Sequence, residues 1–336
     1  MRLAARRTAL VLVALVALLA PLLVSSPAEA GRRTRVVAVF SATQVALGTP
    51  VTVTGVVKDR GKRKRKVVLE QRIRGGWRTV SKGRTTRTGA FALPVDTSWL
   101  YTTRLRVRAP RAKGAGPDTS KATWVTVSPG YAPAGDPNAW SPITQGMRTR
   151  FNPCRSIRYQ IRPGLYGAGF VSAVSAALAD VTAATGLRFV DRGLTDLIPR
   201  NQGGPWPAKV DLILAATTVA ESAATGSPLE STTGGRAGPH KTTWGRDPRG
   251  RVALVKSAHV WINSTPASPM TPNRLLQILK HEIAHAIGLG HTESPGQYMN
   301  TSTAAFASLP LRGWGAGDLT GLARQGLQGG CVRRLR

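Results

Sequence analysis

Three of the five histidines in this chain lie within one stretch of eleven residues, HEIAHAIGLGH at residues 281–291. His281 and His285 are four residues apart, so on a helix both imidazoles lie on one face, one turn apart. The residues before them predict that helix, because Thr271 is a suitable N-cap and Pro272 a suitable first helical residue. Its apolar residues recur at helical spacing: Leu275, Leu276, Ile278, Leu279, Ile283 and Ile287. The pattern therefore predicts two histidines that reach one metal ion.

A catalytic zinc ion takes three protein ligands and keeps one open position, so a third ligand is needed. Gly288 can adopt a positive φ and is predicted to end the helix, which lets His291 fold back toward the metal. Glu282 lies about 100° around the helix from His281, a suitable position for a general base. The alternative is that these are ordinary histidines on a partly exposed helix. Five specified positions within eleven residues of a histidine-poor chain favour one catalytic Zn²⁺.

The motif resembles H-E-x-x-H-x-x-G-x-x-H, which identifies the metzincin metallopeptidases. Met299, eight residues after His291, and Thr292 directly after that histidine look most like the matrixin branch. The stretch GDLTGL near the C-terminus is similar to the acidic helix start of matrixin domains. The resemblance covers about residues 139–336. It implies that Met299 shapes the floor beneath the metal without binding it, and that Asp318 binds the backbone of the methionine turn.

Three features depart from the matrixin pattern. Asn300 and Thr301 stand where matrixins have Tyr-Pro, so a different wall of the S1′ pocket is expected. Thr301 also occupies the place of the extra tyrosine ligand of astacin-like relatives, and Tyr298 is not assigned that role. The chain has no pro-peptide cysteine switch and no loops dense in Asp and Glu, so structural calcium is not expected.

The rest of the chain is predicted to divide into four segments. Residues 1–30 have a basic start, an apolar run and a small-residue cleavage site, which predict a signal peptide and a secreted, extracellular protein. Residues 31–130 contain seven short alternating runs, typical of an all-β immunoglobulin-like sandwich. Residues 131–145 are rich in Pro and Gly and are predicted to be a linker. The resemblance implies that residues 146–336 form a matrixin-like zinc peptidase domain.

The predicted elements of this last segment alternate between strands and helices. SIRYQI, LRFV, VDLILAAT and SAHVWIN read as strands, and GFVSAVSAALADVTAAT reads as an amphipathic helix. The resemblance implies an α+β fold, with a twisted mixed sheet, a crossover helix and the active-site helix. The glycine-rich stretch at residues 221–244 is predicted to be a long connection around the cleft.

The two cysteines and the other two histidines are predicted to have structural roles. Cys154 and Cys331 stand at the two ends of the last segment, and in an exported protein such a pair is predicted to form a disulfide. The alternative is that the Cys154 thiolate caps the zinc and Cys331 is free. His240 and His259 are interpreted as packed or exposed histidines rather than as ligands of a second metal.

The chain is strongly basic, with a formal net charge of +31. Residues 31–130 hold 22 basic and four acidic side chains. The run KDRGKRKRK, from Lys58 to Lys66, is predicted to be a solvent-facing hairpin loop, because buried unpaired charges are costly. It serves either solubility or contact with a polyanionic cell-surface or wall polymer. No specific nucleic acid and no membrane span are expected, and the protein is expected to be a monomer.

Together these features predict a secreted zinc-dependent endopeptidase acting on protein or peptide substrates, with Glu282 as general base. Two alternatives remain open. One is a zinc hydrolase acting on a non-peptide amide of the cell wall, which the basic charge supports. The other is a non-proteolytic surface-binding protein, against which the intact Glu282 and the intact ligand set argue.

Overall fold

The computed structural model describes residues 34–59, 64–201, 203–226, 228–265, 270–302, 304–305 and 309–335. The predicted signal peptide lies outside these residues. The chain begins with nine strands: β1 Arg35–Phe40, β2 Gln44–Ala46, β3 Val51–Lys58, β4 Lys66–Ile73, β5 Gly76–Arg84, β6 Ala90–Val95, β7 Tyr101–Ala109, β8 Asp118–Thr119 and β9 Thr123–Ser128. Each of the seven runs predicted as strands coincides with one of them, and only the short β2 and β8 were missed.

The nine strands form two sheets with a shared core. One sheet has the order β1-β3-β6, and the other has the order β2-β9-β7-β4-β5 with β8 paired to β7. Apolar side chains of both sheets form one buried cluster, which includes Val53 and Leu93 from the first sheet and Leu69, Val107 and Val125 from the second. Alternate residues are buried in β3, β6 and β7, as the period-two pattern of the sequence predicts.

The prediction of a hairpin loop from Lys58 to Lys66 is wrong. Strand β3, which ends at Lys58, and strand β4, which begins at Lys66, belong to different sheets, so this segment connects the two sheets. Arg65 is also buried rather than solvent-facing. Its guanidinium pairs with Asp59 and donates to the carbonyl oxygen of Pro110, so the charge is compensated inside the protein. Residues 60–63 of this run lie outside the described residues.

The second part of the chain combines strands with helices. Its strands are β10 Ser141–Pro142, β11 Thr149–Arg150, β12 Ile157–Arg162, β13 Phe189–Leu194, β14 Leu212–Thr217, β15 Gly235–Asp247, β16 Gly250–Asn263, β17 Leu289–Gly290 and β18 Arg333–Arg334. Its helices are α1 Gly167–Thr185, α2 Val219–Ala223, α3 Pro272–Ala286 and α4 Ala316–Gln325. Short 3₁₀ turns lie at Gly164–Tyr166 and Leu327–Gly329.

Most of these strands form one mixed sheet in the order β13-β12-β14-β16-β15-β18, with β11 paired to β16. Strands β12, β13, β14 and β16 run parallel, whereas β15 is antiparallel to β16. Helices α1 and α3 pack against each other, and with one face of the sheet they enclose the main core. The chain is therefore a mixed α+β protein, as predicted.

The composition of helix α1 fits either a membrane-spanning helix or a buried core helix. The segment Gly164–Thr185 is long and apolar enough to cross a membrane. However, Phe170, Val174, Ala177 and Val181 are fully buried in the core between the sheet and α3. Its apolar character therefore has an explanation in the packing of this domain.

Strand β15 corrects the prediction that residues 221–244 form only a connection. It pairs with β16 along nearly its whole length, with irregular register near Pro239 and Lys241. Helix α2 also falls in this stretch, with Thr218 and Glu221 forming a capping box at its start. Glycine and proline give β15 little intrinsic strand preference, so the long-range pairing determines its conformation.

Cys154 and Cys331 form a disulfide, as predicted, which excludes the alternative of a free Cys154 thiolate on the metal. The bond joins residues 177 positions apart. In the chain-entropy model, closing a loop of this length stabilises the folded state by at most about 5 kcal/mol. The bond ties the start of β12 to the C-terminal segment and is consistent with an exported protein.

Candidate metal centre

Helix α3 begins and ends at the residues that the sequence indicates. The Thr271 hydroxyl accepts a hydrogen bond from the backbone N–H of Arg274 (3.2 Å), and Pro272 is the first helical residue. The helix ends at Ala286, and Gly288 follows with φ +116°. A Cβ atom at Gly288 would overlap the carbonyl oxygen of Thr149, so both the backbone conformation and the close approach require glycine here.

His291 is held by contacts with residues far away in the chain. Strand β17, directly before it, pairs with β10, and the Ser141 hydroxyl donates to the carbonyl oxygen of His291 (2.6 Å). On the other side, the N–H of Thr292 donates to the carbonyl oxygen of Met299 (2.8 Å). These contacts bring His291 back toward α3.

The three imidazoles converge through their Nε2 atoms. The Nε2 of His285 lies 3.0 Å from the Nε2 of both His281 and His291, and the other two are 3.2 Å apart. The Nδ1 of His281 donates to the carbonyl oxygen of Tyr298 (2.6 Å), and that of His285 to the carbonyl oxygen of Leu289 (2.8 Å). These bonds leave the Nε2 lone pairs directed at one another.

This geometry fits a tetrahedral zinc ion. Zn–N bonds of about 2.05 Å at tetrahedral angles separate two ligand nitrogens by roughly 3.3 Å, close to the 3.0–3.2 Å seen here. When none of the three Nε2 atoms carries a proton, their lone pairs repel one another. A cation bound by all three atoms removes that repulsion. Backbone acceptors on the distal ring nitrogens are also the usual way in which zinc-binding histidines are oriented.

The electrostatics of the cluster favour neutral ligands. Burial lowers the pKa of His281 to about 4, lowers that of His285 well below its usual value, and also lowers that of His291. The imidazoles are therefore uncharged at neutral pH, which is the form that binds a metal. Burial raises the pKa of Glu282 to about 8, and the nearby charge of Arg236 counteracts the shift. A cation in the cluster would lower it further.

Glu282 borders a cleft of about 700 Å³ that also contains the three histidines. The start of strand β15, at Gly235 to Ala237, and residues Thr301 and Ser302 also line this cleft. Gly235 packs directly against Glu282, because a Cβ there would lie 2.7 Å from the Cγ of Glu282 and 2.8 Å from the carbonyl oxygen of Trp261. Sequence reasoning missed Gly235, since its strand was predicted as a loop.

Asp318 and the backbone of Tyr298 and Met299 form one hydrogen-bonded unit next to His281. Met299 is buried, and the Asp318 carboxylate accepts hydrogen bonds from the N–H groups of Tyr298 (2.6 Å) and Met299 (3.1 Å). It also accepts from the N–H of Gly315 at the start of α4. Because the carbonyl of Tyr298 holds His281, this carboxylate links α4 to the first histidine.

Lys280 is a buried charged residue that sequence reasoning missed. It is fully buried, its ammonium donates to the carbonyl oxygens of Leu311 (2.9 Å) and Gly313 (2.6 Å), and it lies 3.6 Å from an Asp180 oxygen. The ammonium also lies 3.9 Å from the centre of the Tyr298 ring. These contacts tie the segment after the methionine turn to α3. The available signal was a lysine four residues after Leu276, on the apolar face of the helix.

The other two histidines do not join the cluster. His240 interacts with Ser257 and with the carbonyl oxygen of Gly203, and its ring stacks on Trp206 at 4.4 Å. His259 is fully buried against Trp261, and burial lowers its pKa to about 3.

Thr301, which replaces the proline of the matrixin pattern, donates a hydrogen bond to the Glu293 carboxylate (2.9 Å).

Within the described ranges, His281, His285 and His291 are the one group of three side chains arranged to hold a metal ion. No protein-family model matches the chain. No curated protein matches it at a significant level either. The functional interpretation therefore depends on the geometry of this centre.

Proposed function

We propose that this chain is a secreted zinc-dependent endopeptidase of the metzincin type, with a matrixin-like catalytic domain. The observation that supports this most is the convergence of three neutral imidazoles, two of them oriented by backbone carbonyls, beside a buried glutamate in an open cleft. A structural zinc site would instead have its fourth position filled by a protein ligand. The disulfide is in keeping with an extracellular location.

When bound, Zn²⁺ supplies a Lewis acid that polarises the scissile carbonyl and lowers the pKa of a water molecule. Glu282 accepts the proton of that water and transfers it to the leaving amine. The Tyr298 and Leu289 carbonyls keep His281 and His285 in the tautomer that binds metal through Nε2. Asp318 holds the backbone that carries the first of these carbonyls.

Strand β15, whose first residues line the cleft, is suited to binding an extended peptide. Strand β15 pairs with β16 on one side, and with β18 only at Gly245 and Arg246. The other edge of its first half, from Gly235 to Lys241, faces no strand in the described residues. An extended substrate can add to such an edge through main-chain hydrogen bonds, whatever its side chains. This edge supports a peptide substrate over a non-peptide amide.

A panel assay tests this function. The secreted chain is incubated with unfolded proteins, with a set of short peptides and with cell-wall polymers, and new amino termini are measured with and without a zinc chelator. We expect cleavage of the unfolded proteins that stops with the chelator and returns with added zinc. Release of groups only from the wall polymers would support the non-peptide amidase, and no turnover by zinc-loaded protein would support the surface-binding protein.

Replacing Gly235 with alanine is expected to lower turnover at least roughly tenfold, because displacing a catalytic group by about 1 Å has costs of this size or more. The added methyl group collides with Glu282 and the Trp261 carbonyl. Zinc content should stay at that of the parent. Gly169→Ala in helix α1 is the matched control, since a Cβ there meets nothing within 4 Å and the residue does not line the cleft. Equal turnover in the two variants would show that Gly235 does not position the base.

A further inference from the structure

The N-terminal sheets and the C-terminal part meet along a seam that is lined with arginine. The turn between β4 and β5 lies against the C-terminal part there, with Gly75 close to Pro248 and the Arg74 carbonyl close to Gly330. Beside this turn is a cavity of about 510 Å³. Three of its lining residues are Arg74 from the first part and Arg249 and Arg324 from the second. We call these three residues the seam arginines.

No carboxylate in the described residues forms an ion pair with the seam arginines. Asp247, whose charge acts on Arg249, is already bound by Arg148, with both oxygens at 2.7 Å, and by Arg150 at 3.5 Å. Burial and the charges of Arg74 and Arg324 lower the pKa of Arg249. Asp247 raises the pKa of Arg249, but by less than Arg74 and Arg324 lower it, so three mutually repelling cations share one cavity with only a partial counter-charge.

A second cavity next to the first is also lined by arginines. It has a volume of about 570 Å³, is lined by Arg74 as well, and adds Arg78, Arg246 and Arg333. Its one carboxylate is the same Asp247. Arg74 lines both cavities, so six arginines surround two adjoining cavities, which is more positive charge than one small anion neutralises.

The seam has many positive charges but few aromatic rings that are exposed for stacking. Trp77 lines the second cavity, yet the guanidinium groups of Arg106 and Arg72 lie over its ring at 4.0 and 5.7 Å. Tyr101, in the first cavity, is buried. The guanidinium of Arg324 lies 4.4 Å from the centre of the Trp140 ring, so that ring is also covered by a cation. Single-stranded nucleic acids usually need exposed aromatic rings for base stacking, so the seam fits a polymer without bases.

We propose that the seam binds a linear anionic glycan, whose regularly spaced sulfate, phosphate or carboxylate groups pair with the seam arginines. The bound polymer contacts both parts of the chain and neutralises charges that the fold compensates only in part. This site is built from both parts, whereas the basic run from Lys58 to Lys66 belongs to the N-terminal part alone. It shares no residue with the three-histidine cluster, so binding and hydrolysis are tested independently.

The test uses the full secreted chain and labelled dextran sulfate as probe, with neutral dextran of equal length as the uncharged comparison. The seam variant is Arg74→Gln, Arg249→Gln and Arg324→Gln. Two control variants remove the same charge elsewhere: Arg87→Gln, Lys113→Gln and Lys121→Gln on exposed loops, and Lys58→Gln, Lys64→Gln and Lys66→Gln in the connection between the sheets. Thermal melting establishes that each variant is folded. Alginate and polyphosphate identify which anionic group is preferred.

We expect dextran sulfate to bind and neutral dextran not to bind, with affinity falling steeply between about 50 and 200 mM salt. The seam variant should raise the Kd by roughly tenfold or more, and each control by roughly threefold or less. The triple Arg→Lys variant keeps the charge and should retain most of the binding. Equal weakening in all three Gln variants would overturn the proposal in favour of a diffuse field. Tighter binding of single-stranded oligo-dT at the seam would overturn the assignment to a glycan.

Discussion

Glu282→Gln is expected to reduce peptide turnover by roughly 10³-fold or more while the protein keeps its zinc, since general acid–base catalysis contributes about 10²–10⁴. The carboxamide has nearly the same shape as the carboxylate and fits the buried site beside Gly235, but it cannot accept a proton from water. The ligands His281, His285 and His291 are unchanged. The measurements are kcat on a cleaved peptide and zinc per chain by elemental analysis.

The matched control is Glu230→Gln, the same change at an exposed position that does not line the cleft. It should leave both quantities at the parent values. If Glu282→Gln kept activity within a few fold of the parent, Glu282 would not be the base and the proposed mechanism would be wrong. If it lost zinc as well as activity, the side chain would be acting on the metal site rather than on proton transfer.

His285→Ala is expected to reduce the zinc content from about one ion per chain to nearly none, with complete loss of activity. His285 is the central ligand, because its Nε2 lies 3.0 Å from each of the other two. Removing it leaves two imidazoles, whereas a catalytic zinc site of this class needs three protein ligands. Zinc is measured after dialysis against a weak chelator.

His240→Ala serves as the control for His285→Ala, since it removes an imidazole outside the cluster. It should keep one zinc ion per chain. Full zinc occupancy in the His285→Ala variant would mean that the metal is held elsewhere. In that case the convergence of the three rings would have another cause.

The features of helix α3 that the sequence predicts correctly are all local ones. The N-cap at Thr271, Pro272 at the first turn, the apolar period and the glycine at 288 all act within a few residues of one another. Local hydrogen bonding, backbone sterics and helical spacing fix such features, so the sequence predicts them. The same holds for the seven alternating runs of the N-terminal sheets, each of which is a strand.

The errors occur where distant partners decide the conformation. Strand β15 has a composition typical of a loop, and it becomes a strand because β16 pairs with it. The segment between Lys58 and Lys66 looks like a hairpin loop, but β4 pairs with β5 and β7 instead of β3. Arg65 is buried because Asp59 and the carbonyl of Pro110 compensate its charge. None of these partners can be read from the local pattern.

Local sequence pointed to His281 and His285 on one face of a helix with Glu282 beside them, because the spacing within a single helical turn specifies these positions. The placement of His291, the strand that packs against Glu282 and the region where positive charge collects depend on tertiary contacts. His291 depends on Ser141 and β10, Glu282 packs on Gly235 of β15, and the seam arginines come from both parts of the chain. Such contacts join residues far apart in sequence, so they are set by packing and not by propensity.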